Sequence, residues 1–163
     1  MAVQLKKSAA LEAISAFLLS EGLDQTGIRT LGKAAGISDR MLIYYFGNKD
    51  QLIEDVLAHV SEQTALGLQM LAGSEKQESH ALLKLLEEAM NIPDFRNAML
   101  LFLEVAARGA RGIEPFRTSA KSTVAFWHSW LSEHLISGPG EMSPQYLLTQ
   151  IEGWIFLRLI EEG

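Results

Sequence analysis

A chain of 163 residues, 48% of them hydrophobic, is long enough to bury a core and short enough for one or two small domains. It has no cysteine, which excludes disulfides, thiolate metal sites and cysteine nucleophiles, and suits a reducing compartment. A net charge of −6 argues against nucleic-acid binding by the chain as a whole.

The apolar spacing is helical nearly throughout, with no period-2 run that would predict a strand. Lys6-Lys7 ahead of AISAFLL imitates a signal peptide, but Glu12 interrupts it, the apolar run is short, and no small-residue cleavage site follows. A first helix over about 4–20 is expected instead, with Leu11, Ile14 and Leu18 on one stripe and Gly22 placed to end it. No other run is long enough to span a bilayer, so a cytoplasmic protein is expected. The second helix covers about 28–35, with Ile28, Leu31 and Ala35 on one side. After the turn Ala35-Gly36-Ile37, Ser38 is a good N-cap for a third helix over about 39–45. The fourth starts near Asn48 and continues through Leu52, Val56, Leu57 and Val60 to about Leu71.

The polar stretch from Gly73 to Glu78 reads as a loop, and the fifth helix (about 79–91) follows with Leu82, Leu83, Leu86 and Met90. Pro93 opens a sixth helix, which runs to about Ala107. A long helix from about Pro115 to Ile136 is broken by Ser137-Gly138-Pro139-Gly140, and Ser143-Pro144 starts the last one. The expected fold is all-α, with about eight or nine helices. Residues 1–48 are expected to form a three-helix N-terminal domain, and residues 49–163 a second helical domain.

Two short helices joined by a tight turn containing glycine are what a helix-turn-helix needs to lay its second helix in the major groove. With Leu42 and Phe46 as the inward pair, a rotation of roughly 100° per residue points Arg40 and Tyr44 outward, with Met41 and Ile43 beside them. Tyr45 is divided between core and DNA. Asp39 is placed either to accept from a cytosine amino group or, three times as readily, to stabilise the start of its own helix. Arg29 and Lys33, one turn apart, are placed to touch the DNA backbone, and Lys49 with the first N–H groups of the fourth helix makes a phosphate clamp. The DNA-binding set is therefore Arg29, Lys33, Ser38, Asp39, Arg40, Met41, Ile43, Tyr44, Tyr45 and Lys49. Charge supports this mildly: residues 1–50 carry six basic groups against five acidic, and residues 51–163 carry eight against fifteen.

These residues resemble the DNA-binding domain of the TetR family of bacterial transcriptional repressors. The resemblance rests on Ile28-Arg29, Ala35-Gly36-Ile37-Ser38, Leu42, Tyr44, Tyr45-Phe46 and Lys49-Asp50-Gln51-Leu52, and covers roughly residues 8–55. Three departures stand out. Ile43 replaces a usual Tyr and offers an apolar contact in place of a hydroxyl, while Arg40 stands where a small residue is common. Gly27 replaces the usual N-cap Thr, and Gly32 replaces an Ala in mid-helix at a cost on the order of 1 kcal/mol.

In the long helix, Val124, Trp127, Leu131 and Leu135 are read as one stripe, with Phe126, Trp130 and His134 opposite. The last helix is apolar almost all round, and a terminal helix buried on every side calls for a second chain. Gly153, in its middle, suits a close helix–helix approach. A homodimer joined by a four-helix bundle is expected, through Trp127, Trp130, Leu131, Ile151, Trp154, Ile155 and Arg158. The family resemblance implies an unidentified small-molecule effector in the body, with Met70, Leu86, Met90, Phe95, Met99, Phe102, Phe116 and Phe126 as candidate walls. The four histidines make no close ligand pair, and no metal or other cofactor is expected.

The reading is a dimeric, ligand-released repressor on palindromic double-stranded operator DNA, with no membrane partner. A helical protein-interaction adaptor that uses its aromatic surface is the alternative. A helical enzyme is weaker still, since no nucleophile–base pair or phosphate loop stands out, and Glu87-Glu88 and Glu161-Glu162 read as solvated faces.

Overall fold

The computed structural model describes residues 2–162. Among these residues there are eight α-helices and no strand: α1 (Ala2–Glu21), α2 (Ile28–Ala35), α3 (Asp39–Phe46), α4 (Lys49–Ala72), α5 (Ser79–Ala89), α6 (Pro93–Ala110), α7 (Phe116–His134) and α8 (Pro144–Glu162). A short 3₁₀ turn, Leu23–Gln25, follows α1. Every helix expected from the sequence is present, and their number, eight, lies within the eight or nine expected. No helix is long and apolar enough to cross a membrane.

Local chemistry sets the boundaries. The Ser38 hydroxyl caps α3 by accepting from Met41 N–H, and Asn48 caps α4 by accepting from Gln51 N–H. Gly36 takes the left-handed conformation that closes α2, where its own N–H and that of Ile37 donate back to Lys33 and Gly32. Gly32 has a reason the sequence did not give. A Cβ there would lie 3.0 Å from the Ile37 carbonyl and 3.1 Å from Asp39, so the glycine lets α2 close onto the turn and the start of α3.

α4 is the central strut, packed on α1 and α3 at one end and on α5, α6 and α7 along the rest. Its buried face (Leu52, Ile53, Val56, Leu57, Val60, Ala65, Leu68) belongs to one continuous core. Lys7 ties α1 to the end of α3 and to α4, lying 4.8 Å from the Phe46 ring centroid and 3.5 Å from Asp55. The polar stretch before α5 is more ordered than a loop, because Gln77 forms a bridge with the end of α7, donating to the His134 carbonyl and accepting from Ile136 N–H.

A polar latch joins the N-terminal helices to α6. The Glu104 carboxylate accepts from Leu23 N–H and from Arg108, each at 2.9 Å, and Arg108 reaches Asp24 at 2.7 Å while lying over the Phe116 ring. Replacing Arg108 with Met is expected to cost about 1–2 kcal/mol, because Glu104 loses a charged donor in a half-buried site. Urea unfolding checks this.

Trp127 and Trp130 are both buried on the core side of α7, edge to face at 5.8 Å, and His134 stacks on Trp130 at 4.1 Å. The two stripes assigned to opposite sides are thus neighbours, since residues three apart differ by only about 60° around a helix. Val124 is the member that faces outward.

Candidate nucleic-acid interface

α3 is a short helix anchored by two side chains. Leu42 is fully buried and Phe46 nearly so, and together they fix its rotation against α2 and α4. The opposite face is open: Arg40, Met41, Ile43 and Tyr44 are exposed, Tyr44 at 68%. Tyr45 is half-buried against the core, its ring centroid 5.6 Å from that of Tyr44. Large apolar and aromatic groups held in water on a helix this short point to a surface made for contact.

The cations flank that face. Arg29 and Lys33 project from α2 and line a shallow cleft of about 430 Å³ along the α2–α3 turn, with Ser38 and Asp39 on its far side. Asp39 lies 3.8 Å from Arg29, which favours a positioning role for this carboxylate over direct base reading. Lys49, the first residue of α4, is exposed beyond the end of α3. Because Asn48 occupies the N–H of Gln51, a phosphate there would meet the N–H groups of Lys49 and Asp50. The ten sequence-predicted contacts thus gather along one edge of the molecule, from α2 across α3 to the start of α4. Ser38 is also engaged as a cap.

The other two predicted sites come out differently. The eight effector-wall residues do not share one chamber. Leu86, Phe95 and Met99 border a crevice of about 20 Å³ facing α8, and Met99 and Phe102 border another of about 20 Å³ facing α7. Each is roughly the room one water needs. Phe126 edges a cleft of about 300 Å³ between α4 and α7. Met90 is sealed in the core, and Phe116 is half-buried beneath Arg108. Met70, 82% exposed, lies with Phe95 on a larger cavity between α1, α4 and the α5–α6 corner. Methionine and aromatic residues mark packing first, so their spacing could not single out a void.

The dimer residues require a similar correction. Trp127, Trp130, Leu131, Ile151 and Ile155 are buried within this one chain. Arg158 is held by its own chain too, donating to Asn91, to Glu162 and to the Glu87 carbonyl, with the half-buried Trp154 ring under its guanidinium. The apolar surface left on α8 is instead Tyr146, Phe156, Leu157 and Ile160, with Gly153 among them and nothing within 4 Å of where its Cβ would stand.

Glu152, on the inner flank of α8, borders the crevice that holds Leu86 and Phe95. Burial among apolar side chains pushes its carboxyl up to about 7. The sequence carried no signal for this, because a single Glu in a helix reads as solvated.

Residues 10–56 match the family model of bacterial regulatory proteins, tetR family. No curated protein matches the sequence. Among solved structures, a putative TetR-family transcriptional regulator from Rhodococcus sp. is 19% identical with a TM-score of 0.77, over 100% of this chain and 90% of that one. A TetR transcription regulator from Haloarcula marismortui is also 19% identical, with a TM-score of 0.70 over 98% of this chain and 88% of its own. The multidrug binding protein EbrR in complex with imidazole is 16% identical, with a TM-score of 0.70 over 96% and 80% of the two chains. At these identities the likeness is one of fold.

Proposed function

We propose that the chain, whose residues 10–56 match the tetR family model, is a dimeric transcriptional repressor of that kind that binds a palindromic operator through α3. In this reading it works in the cytoplasm, carries out no catalysis, and is released from DNA by a small molecule. The division of labour falls at the start of α4: residues 1–48 read DNA, and residues 49–163 pair the subunits and respond to the effector. The matched segment runs to residue 56, two turns into α4, which makes that helix the connection between the two tasks.

One observation carries the proposal. α3 turns Leu42 and Phe46 inward and leaves Arg40, Met41, Ile43 and Tyr44 in water, with Arg29, Lys33 and Lys49 spaced around them. Arg40 is suited to a guanine edge, Ile43 to a thymine methyl, Tyr44 and the flanking cations to phosphates. A single such face with two or three phosphate contacts is a weak reader. A two-fold pair sets two of them at a fixed half-site spacing, and a ligand that favours another spacing releases the DNA.

The test is binding of the purified protein to DNA flanking its own gene. Affinity is expected to fall steeply with salt, and Lys49→Ala to weaken binding and reduce the salt slope by about 1 for each subunit's lost phosphate contact. Arg40→Ala is expected to relax preference at one position in each half-site, at about 1–3 kcal/mol. Absence of binding at low salt overturns the proposal.

A further inference from the structure

Between α1, α4 and the α5–α6 corner lies a cavity of about 590 Å³, open on one side. The volume is within the range of small-molecule sites, and the walls are mainly apolar, with Leu19 from α1, Leu68 from α4 and Ile92 and Phe95 from the corner. The carboxylates on its lining stand beside one imidazole, that of the half-buried His59. Glu12 and Asp94 both contribute, both are exposed, and neither forms an ion pair or side-chain hydrogen bond among the described residues; no Lys or Arg belongs to the lining. Apolar walls next to two free carboxylates favour a ligand that is apolar in its body and positively charged.

Two further observations point to an occupant. Ser15 lines the cavity from α1, and its hydroxyl is shielded from solvent with no hydrogen-bond partner, a destabilising arrangement in a helix where the carbonyl one turn back is the ordinary acceptor. Gly67 stands in the middle of α4, where glycine weakens a helix, yet no packing demands it: a Cβ there would meet nothing within 4 Å. The missing side chain leaves room in the wall and serves no contact within the chain.

We propose that this cavity binds a small amphipathic organic cation, its apolar body against Leu19, Leu68 and Phe95 and its charge drawn to Glu12 and Asp94. The walls come from α1 on one side and from α4 and the α5–α6 corner on the other, with nothing from α7 or α8. The ligand therefore sits between α1 and the helices α4 to α6. Its role as the effector rests on the regulator reading above, whereas binding itself does not.

Calorimetric titration of the full chain with tetraphenylphosphonium, and with the similarly shaped anion tetraphenylborate, tests the site without DNA. The cation is expected to bind, and the anion at least tenfold more weakly. Glu12→Gln with Asp94→Asn is expected to weaken the cation about tenfold and narrow the difference between the two ions. Gly67→Trp, which fills the cavity from a position with free space, is expected to abolish binding with an unfolding temperature no lower than that of the parent. No binding of the cation, equal binding of both ions, or undiminished binding to the Trp variant overturns the site. Failure of these titrations with operator binding intact removes the site alone, and loss of operator binding with the titrations intact removes the regulator reading alone.

Discussion

Replacing Leu157 with Glu is expected to convert the protein to a monomer and to weaken operator binding by a factor on the order of 10²–10⁴. Leu157 is 58% exposed on α8, in a row with Tyr146, Phe156 and Ile160. Within one chain the substitution removes no buried contact, so the fold should hold, which circular dichroism and thermal unfolding would verify. Across a two-fold axis the same change sets two carboxylates in an apolar contact, each without a partner. The body of the chain already carries the excess of acidic groups, so no surplus of nearby cations offsets them. The DNA effect follows from the linkage of half-sites: once one α3 is bound, the second binds at an effective concentration set by the dimer. A monomer loses that advantage and keeps only the few contacts of a single face. Sedimentation equilibrium at micromolar concentration, followed by operator titration, separates the two effects. A dimer that survives Leu157→Glu would show that α8 does not pair the subunits.

What the sequence revealed, and what it hid, differ for a physical reason. On α3 the i, i+4 pair Leu42 and Phe46, set against Arg40 and Tyr44, gives the phase although Met41 and Ile43 are apolar too, and the outward residues follow from it. On α8 the apolar residues run all the way round, so periodicity says only that two sides are covered. It does not say which side the chain covers itself. Ile151 and Ile155 face the chain's own core while Phe156 and Leu157 do not, a distinction fixed by where α5 and α7 lie. The ligand site was hidden for the opposite reason. Its informative members are Glu12, Ser15, Gly67 and Asp94, which read individually as ordinary helix-surface residues and acquire meaning only when α1, α4 and α6 are brought together. Gly32 belongs to the same class. In sequence it is a weak helix residue, and in the fold it is the place where α2 meets the turn.

Glu152 gives the largest expected change in stability. Its carboxyl sits among apolar side chains, including Leu86, Phe95, Trp127 and Leu148, and burial raises it from the ordinary 4.5 to about 7. Below pH 4.5 both folded and unfolded chains hold the proton, and the group is neutral in the balance. As pH rises towards 7 the unfolded chain releases the proton first, so stability falls; above about 7 the folded protein also carries the charge and the loss is complete. A shift of this size corresponds to about 3 kcal/mol at pH 8. Glu152→Gln keeps the shape and removes the charge. It is therefore expected to unfold like the parent near pH 4.5 and to be more stable by about that amount at pH 8. The carboxylates at Glu141 and Glu162, held low by hydrogen bonds from Ser79 and Arg158 respectively, act in the opposite sense and lose their contribution as pH falls. The comparison must therefore be variant against parent at each pH, at one fixed protein concentration, so that any pairing of subunits contributes equally. Urea titrations at the two pH values decide it, and equal stabilisation at both would show that Glu152 is ionised in water rather than buried neutral.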